Sequence, residues 1–292
     1  MFTKDIPCLN LEQIALSGQC FRMNRCSSQE EAAYSIISGQ RFLRISQSGS
    51  QIRFDCPTED LPFWFHYFDL ETNYPAIISG IHAEDTYLAA AARAGNGIRI
   101  LNQDIWEMIL TFILSQQKTI PKIREAVEAL SLRYGSRFTA FDGSVCYAIP
   151  TPEQLSAVSV SELMELKLGY RAKYIAQIAK DALTQRLDLS LLASLPYEEA
   201  LPYLLQFYGI GEKVANCICL FGLHHIDAFP VDTWIQKILL REYYRPAYET
   251  LPKAQLFKQI IEDSFASYVG YRGILQQYIF FYERCILSKD TK

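Results

Sequence analysis

The chain has 292 residues, half of them hydrophobic and 21% charged, with a formal net charge of −4. This balance fits one large or two modest packed domains and excludes a disordered or low-complexity chain. No uncharged apolar run approaches the roughly 18 residues of a membrane span, and the start Met1-Phe2-Thr3-Lys4-Asp5 lacks a signal pattern, so a cytoplasmic protein is expected.

The first part of the chain reads as strand-rich. Leu43-Arg44-Ile45-Ser46 and Gln51-Ile52-Arg53-Phe54 alternate apolar with polar residues around Gln47-Ser48-Gly49-Ser50, which predicts a β-hairpin. The aromatic, acidic run from Phe63 to Tyr74 predicts a boundary region. Beyond it the periodicity becomes helical: Ile105, Trp106, Met108, Ile109, Phe112 and Ile113 share one face, with Asp104 placed to cap and Glu107 to complete a capping box. Further helices are predicted over about 122–133, 152–167, 172–185, 197–206, 212–223, 232–242 and 271–287. The expected fold class is α+β, a small N-terminal antiparallel β-sheet domain (residues 1–75) followed by a mostly α-helical body (residues 76–292).

Eight cysteines, at 8, 20, 26, 56, 146, 217, 219 and 285, form no C-x-x-C pair, so reduced and mostly buried thiols are expected. The acidic net charge gives no global sign of a nucleic-acid partner. A local basic face suffices for phosphates, and Ser115 to Arg124 carries three cations and no anion.

The most informative stretch is Leu204 to Trp234. Its first part, about 204–223, reads as two helices joined by Phe207-Tyr208-Gly209-Ile210-Gly211, where the glycines permit a tight turn and close backbone approach. Amides at the start of the following helix suit a phosphate. Lys213 falls in the first turn of that helix, where a surface cation is electrostatically disfavoured. Nineteen residues further on, Pro230-Val231-Asp232 precedes a helical run that Asp232 is placed to cap.

G-I-G-x-K-V-A followed by P-V-D resembles the helix-hairpin-helix DNA glycosylases, in their lysine-bearing branch. The resemblance implies that Lys213 attacks C1′ of a damaged nucleotide, displaces the base, forms a Schiff base and permits β-elimination. The amine must be neutral to attack, and desolvation disfavours its cation. Asp232 is then expected to stabilise positive charge developing on the deoxyribose.

Further stretches narrow the resemblance to the 8-oxoguanine DNA glycosylases and extend over nearly the whole chain. Ser17-Gly18-Gln19-Cys20-Phe21-Arg22 is similar to the family's SGQ-x-FR motif, which implies that the Gly18 carbonyl accepts from N7–H of the lesion; normal guanine has a lone pair there. Cys217, four residues after Lys213, is expected against one face of the flipped base. In Gly273–Phe280, the resemblance gives Gln276 the Watson–Crick edge and Phe280 the other face, although an isolated Phe at such spacing is more often core. Gly169-Tyr170-Arg171-Ala172-Lys173-Tyr174 resembles the segment that supplies a wedge, Tyr170, and a contact to the orphaned base, Arg171; Gln117 is expected to fill the vacated stack. Gly209 and Gly211 join the DNA-binding set through the hairpin.

The departures are specific. Trp234 stands where eukaryotic members carry histidine, Lys122 where they carry an arginine that reads the opposite cytosine, and Met23 where tryptophan is usual. They point to a bacterial-type member with altered reading of the partner strand, acting as a monomer on double-stranded DNA containing 8-oxoguanine, associated with the nucleoid. No cofactor is expected, and Cys285 alone cannot hold the iron–sulfur cluster of some relatives. A structural Na+ or K+ at the main-chain oxygens of Leu205, Phe207 and Ile210 is implied by the resemblance. Two other readings stay open: a monofunctional alkylated-base glycosylase that uses the aspartate alone, and a non-catalytic hairpin module that clamps phosphates.

Overall fold

The computed structural model describes residues 1–26 and 32–288. Five antiparallel strands, β1 (Phe2–Asp5), β2 (Met23–Arg25), β3 (Ala32–Ser38), β4 (Arg41–Ser48) and β5 (Gln51–Asp55), form a sheet in the order β1-β5-β4-β3-β2. The anticipated hairpin is β4–β5, with Ser48 opposite Gln51 and Gly49 at φ +61°. One face of the sheet buries Tyr34, Ile36, Leu43, Ile45, Ile52 and Phe54 against the short helix Leu11–Leu16. The same core takes in Trp64, Tyr67 and Phe68. The aromatic run is therefore more than a boundary: Leu61–Tyr67 is helical, and positions 64, 67 and 68 share the face that packs.

The rest is helical, apart from a small two-stranded sheet of β6 (Arg137–Thr139) and β7 (Val145–Tyr147). The predicted helices appear as Ile105–Ser115, Ile120–Tyr134, Arg171–Leu183, Tyr197–Leu204, Glu212–Phe221, Thr233–Glu242 and Arg272–Phe281. The segment 152–167 is two helices, because Thr151 and Ser159 each start one with a capping box. The last helix passes into a π-helix, Tyr282–Leu287. Helices Tyr74–Ser79, Thr86–Ala94, Leu189–Ser194 and Lys253–Ser264 add to those anticipated.

The two cores interlock. Leu101 belongs to the core of the sheet, and Phe21 to that of the helical body. Asp104 does cap its helix, accepting from Glu107 N at 2.8 Å, but the capping box is not closed. Glu107 is instead 5% exposed, and burial pushes its carboxyl up to about 7.

All eight cysteines are free. Among the described residues, no helix is long and apolar enough to cross a membrane.

Candidate active site

The hairpin turn spans 205–211, between helices Tyr197–Leu204 and Glu212–Phe221. Gly209 has φ +90°, and a Cβ there would lie 2.4 Å from Cγ of Tyr174, so a larger residue would push the turn off the helix beneath it. Gly211 is the exposed N-cap residue, with open space where a side chain would be. Two residues further on Lys213 is half-buried. Its Nζ donates to Ser115 Oγ at 3.4 Å and lies 5.3 Å from the Phe112 ring centroid.

One helical turn later Cys217 is 3% exposed, and burial pushes its thiol up, against the pull of the Lys213 amine. It therefore offers a neutral, soft surface. Asp232 caps helix Thr233–Glu242 through Oδ1, which accepts from Trp234 N at 3.0 Å and Ile235 N at 2.9 Å. Among the described residues nothing donates to its Oδ2, so the cap uses Oδ1 alone.

Gly18 follows helix Leu11–Leu16 at φ +79°, where a Cβ would come within 3.4 Å of both Ile120 and Phe280. The neighbouring Gln19 fixes this loop. Its Nε2 donates to Arg99 O at 2.9 Å and to Ser17 Oγ at 2.9 Å, while its Oε1 accepts from Leu101 N at 2.8 Å. No described residue donates to the Gly18 carbonyl.

From the C-terminal helix, Gln276 donates through Nε2 to Pro230 O at 3.1 Å. Phe280 has the Arg284 guanidinium 5.2 Å from its ring centroid, and Arg284 also donates to the Leu16 carbonyl.

A single recess is lined by Gly18, Lys213, Cys217, Asp232, Gln276 and Phe280, together with Ser17, Phe112, Phe221, Pro230 and Gln277. The six residues singled out in the sequence as catalytic or lesion-binding thus meet at one place. Sequence reasoning missed the others. Phe112 is an ordinary member of an apolar helix face until its ring stacks on Phe221, 5.4 Å between centroids and 20° between planes. Ser115 is likewise one residue of a polar run until it meets the Lys213 amine.

The expected DNA-facing residues are not among those that line this recess. Tyr170 is 42% exposed and Trp234 37%. Gln117 is exposed at φ +51° in the turn between helices Ile105–Ser115 and Ile120–Tyr134. Lys122 is exposed and paired with Glu125 at 2.7 Å.

Arg171 is buried, unlike Tyr170 beside it. It is 7% exposed, donates through Nε to Gln116 O at 2.8 Å and through Nη1 to Leu168 O at 3.2 Å, and stacks on Tyr170. The Gln116 carbonyl at the helix end needs a donor, and Arg171 supplies it. Gln116 Nε2 in turn donates to Gly209 O at 3.0 Å, so the Gln117 turn, the Tyr170 turn and the hairpin are tied together. Arg124, from the basic stretch, also points inward, to Met23 O and Ala15 O. Of the three hairpin carbonyls, that of Phe207 accepts from Ile210 N at 3.1 Å.

Residues 1–109 match the family model for the 8-oxoguanine DNA glycosylase N-terminal domain, and residues 110–261 match that for HhH-GPD superfamily base excision DNA repair proteins. The crystal structure of a Clostridium acetobutylicum 8-oxoguanine glycosylase/lyase, in complex with double-stranded DNA, is 31% identical with a TM-score of 0.86, over 96% of this chain and 93% of that one. The chain belongs to the 8-oxoguanine DNA glycosylase family. Curated relatives include an N-glycosylase/DNA lyase of Saccharomyces cerevisiae, 29% identical over 80% of this chain and 68% of its own length. An N-glycosylase/DNA lyase of Arabidopsis thaliana is 30% identical over 74% of this chain and 60% of its own length.

Proposed function

We propose that this chain excises 8-oxoguanine from duplex DNA with Lys213 as nucleophile and then nicks the strand. The reading is carried by the convergence of Gly18, Lys213, Cys217, Asp232, Gln276 and Phe280, from separate segments, on one recess. Lys213 Nζ bonds to C1′ as the C1′–N9 bond breaks, and the base departs. Asp232 Oδ2 stabilises the positive charge on the sugar meanwhile. Ring opening gives an imine; loss of a C2′ proton then expels the 3′ phosphate. Cys217 and Phe280 take the two faces of the everted base, Gln276 its Watson–Crick edge, and the Gly18 carbonyl its N7–H.

Tyr170, Gln117 and Arg171 form the part that enters the duplex, with Arg171 exchanging the Gln116 carbonyl for a base. Lys122 and Trp234 face the strands, and Gly209 and Gly211 carry a backbone phosphate at the hairpin. Na+ or K+ fits the same turn through the oxygens of Leu205, Phe207 and Ile210. The sheet unit (1–75) and the helical body (76–292) act together, as a monomer in the bacterial cytoplasm on nucleoid DNA.

The test is a duplex with a single 8-oxoguanine, incubated with and without borohydride. Base release together with a covalent protein–DNA adduct is expected. Release without any adduct would instead favour the monofunctional, aspartate-only reading.

A further inference from the structure

Gln277 stands next to Gln276 on the C-terminal helix, lines the same recess and is 4% exposed. The orientation of both amides follows from one backbone group. The Pro230 carbonyl can only accept, so Gln276 must turn Nε2 toward it, as it does at 3.1 Å. Gln276 Oε1 then requires a donor, and Gln277 Nε2 supplies it at 2.8 Å. This leaves Gln277 Oε1 at the end of the relay, buried and without a hydrogen-bond partner. Flipping Gln277 alone would set two carbonyl oxygens against each other, and flipping both would set Gln276 Oε1 against Pro230 O. The unpaired acceptor is therefore imposed by the fold, although a buried unpaired acceptor is destabilising.

We infer that Gln277 is a second specificity-determining amide, whose Oε1 accepts from the 2-amino group of the everted base. The inference rests on the proposed excision of 8-oxoguanine. A guanine-type edge presents an acceptor at O6 and donors at N1–H and the 2-amino group, and in the duplex cytosine satisfies all three. Once the base is everted, those donors need new acceptors. Gln276 has a second Nε2 proton and a second Oε1 lone pair, and Gln277 Oε1 adds a further acceptor. Together the two amides offer the donor, acceptor and acceptor that cytosine gives up. A base without the 2-amino group leaves Gln277 Oε1 unpaired and is disfavoured.

The experiment compares single-turnover excision of 8-oxoguanine with that of 8-oxohypoxanthine, which lacks only the 2-amino group, each opposite cytosine. Wild type and the variants Gln277→Leu and Gln277→Met are measured, with borohydride trapping alongside. Loss of one neutral hydrogen bond predicts that wild type prefers 8-oxoguanine by about tenfold. In both variants that preference shrinks to about twofold or less, because excision of 8-oxoguanine falls more than that of the analogue. Equal loss for both substrates means that Gln277 merely supports the fold and overturns the inference. So does a wild type with no preference, or a preference unchanged in a variant that folds. If wild type neither releases 8-oxoguanine nor forms an adduct, it is the proposed function that fails, and the two failures are distinct. Should Leu prevent folding, Met keeps the length and flexibility of Gln and carries the comparison.

Discussion

Nζ of Lys213 lies 3.4 Å from Oγ of Ser115, whose own hydroxyl proton is directed to the Phe112 carbonyl at 2.8 Å. The serine is thus an acceptor for the amine. The amine also lies over the face of the Phe112 ring, 5.3 Å from its centroid. No carboxylate is ion-paired with Lys213 among the described residues. Replacing Lys213 by Gln keeps a polar side chain at the helix start and removes the nucleophile. Borohydride trapping and strand nicking should vanish while lesion-DNA affinity, measured by titration, stays within about threefold, since the lesion's other contacts remain. Normal trapping by this variant would refute the assignment.

Asp232 caps helix Thr233–Glu242 through Oδ1, and the proposed reaction uses its Oδ2. Because Asn caps a helix about as well as Asp, Asp232→Asn should keep the cap and leave unfolding free energy within a few tenths of a kcal/mol. Base release should still slow by roughly 100-fold, the usual cost of losing one electrostatic stabiliser at a reacting centre. Single-turnover kinetics and thermal melts separate the two effects. An unchanged rate would leave Asp232 as a cap only.

Selectivity for the opposite base should be modest. Lys122, exposed and paired with Glu125, stands where an arginine is usual, while Arg171 is retained and held at the Gln116 carbonyl until a base replaces it. An arginine fork engages two acceptors in one plane, whereas a lysine is a flexible point donor. With one fork absent, the preference for cytosine opposite 8-oxoguanine should be on the order of tenfold. Single-turnover excision opposite each of the four bases measures it, and a preference beyond about 100-fold would refute the idea. Lys122→Arg should sharpen the selectivity.

Glu107 makes stability depend on pH. Its carboxyl, pushed from 4.5 up to about 7 by burial and held back from a larger shift by Arg22, binds a proton in the folded chain that the unfolded chain has already lost. Folding stability therefore falls as pH rises from about 4.5 to 7, by up to about 3 kcal/mol from this group. Glu107→Gln should be nearly neutral at pH 4 and stabilising at pH 8, with Arg22 still paired to Glu128 at 3.3 Å. Urea unfolding at both values checks this. A difference that does not grow with pH would mean that Glu107 is solvated.

Lys213, Asp232 and Cys217 could be singled out because the motif resemblance that names them lies within one short stretch of the chain. The lysine and the cysteine are one helical turn apart, and the aspartate caps the helix that follows theirs, so short-range pattern carries their relation. The β4–β5 hairpin was legible for the same reason, since alternation and turn residues act within a few positions. Gly18, Gln276 and Phe280 could be named from motif resemblance, but only tertiary packing joins them: Gly18 and Phe280 are far apart in the chain and within a side chain's contact in space.

What the sequence could not reveal were the partners of polar groups, because a hydrogen bond depends on direction and not on composition. Gln19 reads like any amide until it is seen to pin the segment at Arg99 and Leu101. Arg171 reads as a free cation until a helix-end carbonyl claims it. Gln277 reads as a repeat of its neighbour until the Pro230 carbonyl decides which way both amides face. The chain's own order of residues determined which chemistry is present; the packing of distant helices decided which polar atoms remained for a substrate.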